Sequence, residues 1–160
     1  MAPRVFFRVQ HDSSRVTYSH SRGFSAESYL HGNSRNLRRT LDDSLVENFE
    51  DHCNKIHTPT ALISVCSSPQ HTLDYAEELR DVYHREGIRI YEIHADRNTH
   101  YFHAQQFARD IKRAQGRQVI EYDNWEYLED EYLVINNIPQ NAVVGVWSDL
   151  DEFADDFDLE

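Results

Sequence analysis

Three polar residues stand within or at the head of apolar strands: Arg8 in VFFRVQ, Ser64 in ALISVCSS, and Glu131 with Glu129 and Asp130 at the opening of EDEYLVI. A guanidinium flanked by burying residues is costly unless it is paired or binds an anion, so Arg8 is either an outward arginine on an edge strand or an anion site. A hydroxyl in a buried strand, as at Ser64, either bonds to neighbouring backbone or braces a site. Strand alternation places Glu129 and Glu131 on one side with Asp130 opposite. Two carboxylates on one face repel, so they belong to a solvated edge or to a site that uses them. His11, beside Asp12 just after Arg8, either lines a pocket at that arginine or lies on the surface. His52, Cys53 and His57, or His100 and His103, are the available metal ligands, but neither set has a pair of partners at zinc-site spacing. No metal is expected.

The elements that position these residues follow from periodicity. Residues 5–10 read as a short strand dominated by Val5, Phe6, Phe7 and Val9, followed by a stretch rich in Ser, His, Arg and Asn to about residue 39. That stretch is long for a loop, so it is poorly ordered or shaped by a ligand. Asp42 or Asp43 caps a helix to about Asn54, with Leu45, Val46, Phe49 and Cys53 at helical spacing, and residues 60–66 read as a buried strand. The clearest helix has Ser68 as N-cap and Pro69 at its first position, buries Leu73, Ala76, Leu79, Val82 and Tyr83, and stops at Gly87. A strand over 88–95 and an amphipathic helix over 103–114 with Phe107, Ala108 and Ile111 on one face come next. Strands over 118–122, 131–135 and 142–147 complete the pattern, the last two separated by a turn at 136–139. This order predicts an α+β fold with mostly antiparallel sheets, not a regular βαβ alternation. Neither GxGxxG nor the GxxxxGKS/T phosphate loop occurs.

A chain of 160 residues, 39% hydrophobic, is one domain's worth of sequence. No apolar run approaches the roughly 20 residues of a membrane span, and residues 1–7 lack the features of a signal peptide. The expectation is a soluble chain, cytoplasmic or delivered into a host cytoplasm. A net charge of -12 argues against nucleic-acid or anionic-membrane partners. Seven of the acids lie in residues 148–160, which read as an acidic tail, either a flexible solubilising end or a segment folded over the arginine-rich N-terminal region. The single domain is then residues 1–147. The two cysteines, Cys53 and Cys66, are too few for a disulfide framework.

In their order, spacing and flanks these motifs resemble the Arg-Ser-Glu class of mono-ADP-ribosyltransferases, the cholera-toxin-like enterotoxins. That family carries an Arg on the first strand, a Ser-Thr-Ser strand followed by a helix, and a Glu-x-Glu strand. Here FFRVQHD, LISVCSSPQ and EDEYLVINNIP stand in those places, with Ile138-Pro139 and VVGVW in register behind them. The segment IRIYEIHADRNTHYFHAQQFARD resembles the toxins' Tyr-rich strand and short helix, and Gly23-Phe24 their step after the first strand. The wording FRV, EYLV and IP is also similar to uncharacterised fungal proteins of this fold. The resemblance implies two small, mostly antiparallel sheets split apart, with flanking helices. It implies NAD as substrate, with Arg8, Ser64, His11 and Gly23 binding it. Glu131 would stabilise the cationic ribose as nicotinamide leaves, and Glu129 would orient or deprotonate a protein acceptor, arginine favoured. Water as acceptor would give an NAD glycohydrolase. Trp125 and Tyr127 fall in the acceptor-recognition loop. The departure is Ser64-Val65-Cys66 in place of Ser-Thr-Ser, which leaves open a catalytically silent binding module.

Overall fold

The computed structural model describes residues 4–54, 58–120 and 128–160. Among them the chain runs β1 (Arg4–Gln10), β2 (Thr17–Ser19), β3 (Gly23–Ser25), α1 (Ser34–Arg39), α2 (Asp43–Cys53), β4 (Leu62–Cys66) and α3 (Pro69–Asp81). It continues through β5 (Arg89–Ala95), β6 (Tyr101–His103), α4 (Ala104–Gln115), β7 (Glu131–Ile135), β8 (Asn137–Ile138), β9 (Val143–Trp147) and α5 (Leu150–Asp156). The fold is α+β, with two antiparallel sheets in the orders β6-β7-β4-β1-β5-β9 and β2-β3-β8.

The larger sheet is nearly divided in two. β1 pairs with β5 along its whole length, whereas it meets β4 at a single register, Phe7 with Cys66. Three strand spacings separate β1 from β6, roughly 14 Å in a flat sheet. Yet the Phe6 ring lies 5.0 Å from that of Tyr101 on β6 and 4.8 Å from that of Tyr132 on β7. The sheet therefore folds sharply at the β1–β4 junction. Its inner faces, closed by the small sheet, share a core that includes Phe6, Phe24, Ile63, Ile93, Val134 and Ile138. Burying each such side chain contributes about 1.5–3 kcal/mol. Outside, α2 and α4 cover β4 and β7 through Phe49, Phe107, Ile111 and Leu133, while α3 and α5 cover β1 and β5 through Leu73, Ala76, Ile90 and Phe153.

The helix ends obey local chemistry. Asp42 accepts from Ser44 N–H at the start of α2, and Ser68 from His71 N–H at the start of α3, with Pro69 in the first turn. Gly116 closes α4 at φ 71°. Gly23 is required by close packing: its φ is 87°, and a Cβ there would stand 2.1 Å from the Ile138 carbonyl oxygen of the neighbouring β8.

Several expectations are corrected. The polar stretch to residue 39 is not one long loop, because it folds as β2, β3 and α1, and Val16, Phe24 and Leu30 bury. α3 ends at Asp81, and Val82 and Tyr83 are exposed, because left-handed His84 at φ 53° turns the chain away before Gly87. Residues 118–120 are not a strand; Val119 and Ile120 bury as coil, with Asn54 donating to the Val119 carbonyl. The turn at 136–139 contains β8. Residues 148–160 do not trail as a flexible end, nor fold over the N-terminal arginines. Leu150 and Phe153 are buried, Phe153 and Phe157 pack against Phe7, and Trp147 donates to Asp156. Both cysteines are free thiols. No helix among the described residues is long and apolar enough to cross a membrane.

Candidate functional site

Where β1 and β4 part, a ladder hydrogen bond is lost and a side chain replaces it. Arg8 Nη1 donates to the Ser64 carbonyl at 2.9 Å, and Nε donates to Gln10 Oε1 at 3.1 Å. Both acceptors are neutral. Burial lowers the guanidinium's pKa to about 10, with Tyr75 and Glu131 pulling the other way, so Arg8 stays a cation at neutral pH. The Phe24 ring lies 5.9 Å from its guanidinium carbon. Gly23, with the close approach that it permits, thus helps to seat the surface under Arg8.

On the α2 side of the junction, Ser64 and Glu131 stand on adjacent strands, and Ser64 Oγ lies 2.6 Å from Glu131 Oε1. His52, in the last turn of α2, places Nε2 at 2.7 Å from Ser64 Oγ and Nδ1 at 3.0 Å from Thr60 Oγ1. Burial, then the charge of Arg8, lowers the His52 pKa to about 4, so at neutral pH the ring carries one N–H. Counting protons fixes the roles. The carboxylate accepts, so Ser64 donates its one hydroxyl proton to Glu131. His52 Nε2–H must then donate to Ser64 Oγ, and Thr60 donates to Nδ1. The result is a relay from Thr60 through His52 and Ser64 to Glu131, in which the carboxylate is oriented by a fully committed hydroxyl.

α3 supplies the opposite wall. Tyr75 is 48% exposed, yet burial of its phenol raises its pKa, opposed by Arg8 and reinforced by Glu131. It remains a protonated donor that feels both charges. His11 follows β1 and has its pKa lowered, first by burial, then by Arg85 and Arg8, with Asp12 opposing. Its Nδ1 accepts from Ser13 N–H at 3.1 Å. Glu129 is exposed and precedes β7, which begins at Glu131, so strand alternation does not place the two carboxylates on one face.

The structure therefore brings together Arg8, Ser64 and Glu131, with His11 within electrostatic reach of Arg8, while Glu129 is exposed two residues before Glu131 in the chain. Gly23 acts through backbone packing. Trp125 and Tyr127 lie outside the described residues, as does His57. Among the described residues no three His, Cys, Asp or Glu side chains converge to hold a metal. His52 is the member that sequence motifs missed. Its signal was a histidine three residues after Phe49, on the side of α2 that buries Leu45 and Phe49. A separate concavity of about 550 Å³, whose lining includes Arg22, Tyr29, Asn136 and Asn137, shares no residue with this cluster.

In overall fold the chain is similar to the solved structure of EcPltA, an ADP-ribosyltransferase toxin subunit. The TM-score is 0.61 at 15% sequence identity, covering 90% of this chain and 74% of that one. At that identity the likeness is one of fold, and it is an ADP-ribosyltransferase-like fold. No curated protein matches the sequence. A family model described as "Domain of unknown function (DUF7587)" matches residues 1–152, and the chain belongs to that family.

Proposed function

We propose that this protein cleaves the bond between nicotinamide and ribose in NAD and transfers ADP-ribose to a protein side chain, arginine favoured, with hydrolysis as the side reaction. The observation that carries the reading is the Ser64 hydroxyl held between His52 and Glu131, beside a half-buried arginine whose hydrogen bonds go to neutral oxygens. Loss of nicotinamide leaves positive charge on the ribose, and a carboxylate fixed beforehand stabilises that charge without reorganising. Glu131 supplies it, one oxygen held by Ser64. Arg8 keeps its Nη2 donors for the diphosphate, for which a planar fork suits paired oxygens. Tyr75 and neutral His11 flank the same cation.

The departure from Ser-Thr-Ser bears less on this site than the sequence suggests. Val65 is buried in the inner core, and Cys66 Sγ exchanges hydrogen bonds with Ser68, whereas the bond to Glu131 comes from Ser64. Of the two positions that lost a hydroxyl, Val65 faces the core and Cys66, although paired across the strands with Glu131, spends its sulfur on the Ser68 main chain. A catalytically silent member of the fold, kept as a binding or interaction module, is the alternative.

Nicotinamide release by the purified chain separates the two. Release is expected from the wild type and is expected to fall roughly 10²–10³-fold in Glu131→Gln, which keeps the shape and removes the charge. No release from either protein, or equal release from both, overturns the enzymatic reading.

A further inference from the structure

The residue before α4 breaks a local rule. An N-cap position favours Ser, Thr, Asp or Asn, whose side chains satisfy the first free N–H groups of the helix. Here the cap is His103, and its side chain makes no capping bond. Instead Nε2 donates to the main-chain carbonyl of Glu129 at 2.7 Å, while the ring packs 4.8 Å from that of Tyr132. Tyr132 is itself fixed, since its hydroxyl accepts from Arg4, whose guanidinium carbon lies 4.5 Å from the Tyr132 ring centroid.

The next residue is held as firmly. Ser67 N–H donates to the Asp130 carbonyl at 2.9 Å, and His71 Nδ1 lies 2.5 Å from the Asp130 carboxylate. The main chain of Glu129 and Asp130 is thus clamped from β6 on one side and from the start of α3 on the other, immediately before Glu131. The Glu129 side chain, in contrast, is exposed and forms no hydrogen bond or ion pair within the described residues. The main chain under Glu129 is therefore fixed, while its carboxylate is left to solvent.

We propose that His103 is a positioning residue, which through the Glu129 carbonyl sets the direction of the Glu129 carboxylate toward a guanidine-bearing acceptor. The proposal rests on the transfer reading above. In the step it serves, the bond from the anomeric carbon to nicotinamide breaks and one from that carbon to a guanidine nitrogen forms. The guanidine proton passes to Glu129 and then to solvent. Hydrolysis needs Glu131 but not this alignment, so the two reactions separate.

The test measures, on one preparation, nicotinamide release in buffer and ADP-ribosylation of agmatine as the guanidine probe. His103→Asn is the informative variant. Asparagine is a better N-cap than histidine and is too short to reach Glu129, so thermal stability is expected to hold or rise. Transfer to agmatine is expected to fall at least tenfold while release in buffer stays within twofold. His103→Gln, which keeps a donor on a longer side chain, should recover most of the transfer. Glu129→Gln should lose transfer to agmatine at least as far as His103→Asn does, and the double variant should lose little more, since the two act in series. Equal loss of both reactions in a folded His103→Asn, or unchanged transfer, overturns the positioning role and leaves the transfer reading intact. Absence of nicotinamide release from the wild type overturns both.

Discussion

Protonation of His52 would break the relay at its centre. An imidazolium has two N–H groups and no acceptor, so Nδ1 could no longer receive the Thr60 hydroxyl, and a second charge would stand near Arg8. The folded-state pKa of about 4 lies below the ordinary value of 6.5. Between those values the unfolded chain binds more protons, so this contribution to stability is complete above pH 6.5 and is lost as pH falls toward 4. From pH 7 to pH 5 the loss is about 2 kcal/mol. Denaturant titrations at the two pH values should show it in the wild type and show it reduced by that amount in His52→Gln; equal pH dependence in both would refute the assignment. This residue also marks where reading the sequence ran out. Arg8 and Ser64 were legible because each interrupts an apolar run, and Glu131 because it opens one after two other acids. His52 reaches Ser64 from another element 12 residues earlier, and helical periodicity reports that a side chain faces inward without saying which strand it meets.

Elements were legible in proportion to their own local signals. β4, α2 and β7 fell within a residue or two of their observed bounds, because apolar spacing and Asp42 as cap mark them. β2, β3 and β8 are two or three residues each, too short to show a period, and the pairing that completes their sheet joins Phe24 to the distant Ile138. α5 was hidden differently. Its acids read as a solvated tail, while Leu150, Phe153 and Phe157 at helical spacing were the signal that packing used. Phe153 is fully buried and lies 5.6 Å from Phe7, the neighbour of Arg8, so α5 supports the strand that carries the cation. Phe153→Ala should therefore cost about 3–5 kcal/mol, as large-to-small core changes do. Denaturant unfolding measures this, and a loss below about 1 kcal/mol, the range of surface changes, would return α5 to the status of a tail.

At the scale of the whole molecule, the fold is a six-stranded sheet bent at a single residue pair and closed by a small three-stranded sheet, with a separate helical layer behind each half. The candidate site occupies the seam. One wall comes from α2 with His52, the other from α3 with Tyr75, and the floor is Arg8, Ser64 and Glu131. A net charge of -12 gives no long-range attraction for an anionic ligand, so on the proposed reading affinity for NAD comes from short-range donors in this seam. Arg8 is the one whose loss should matter most. Glu131→Gln provides a background in which the ligand is not consumed. There, NAD at 100 times its Kd should add about 2.7 kcal/mol of stability, which for a chain of this size raises the Tm by roughly 5–10 °C. Adding Arg8→Gln should abolish the shift while leaving the unliganded protein folded by circular dichroism. Salt should reduce the shift in the Glu131→Gln protein, because a charge-assisted contact to the diphosphate is screened. A shift that survives Arg8→Gln would move the ligand away from the seam, and no shift at any NAD concentration would remove NAD from consideration.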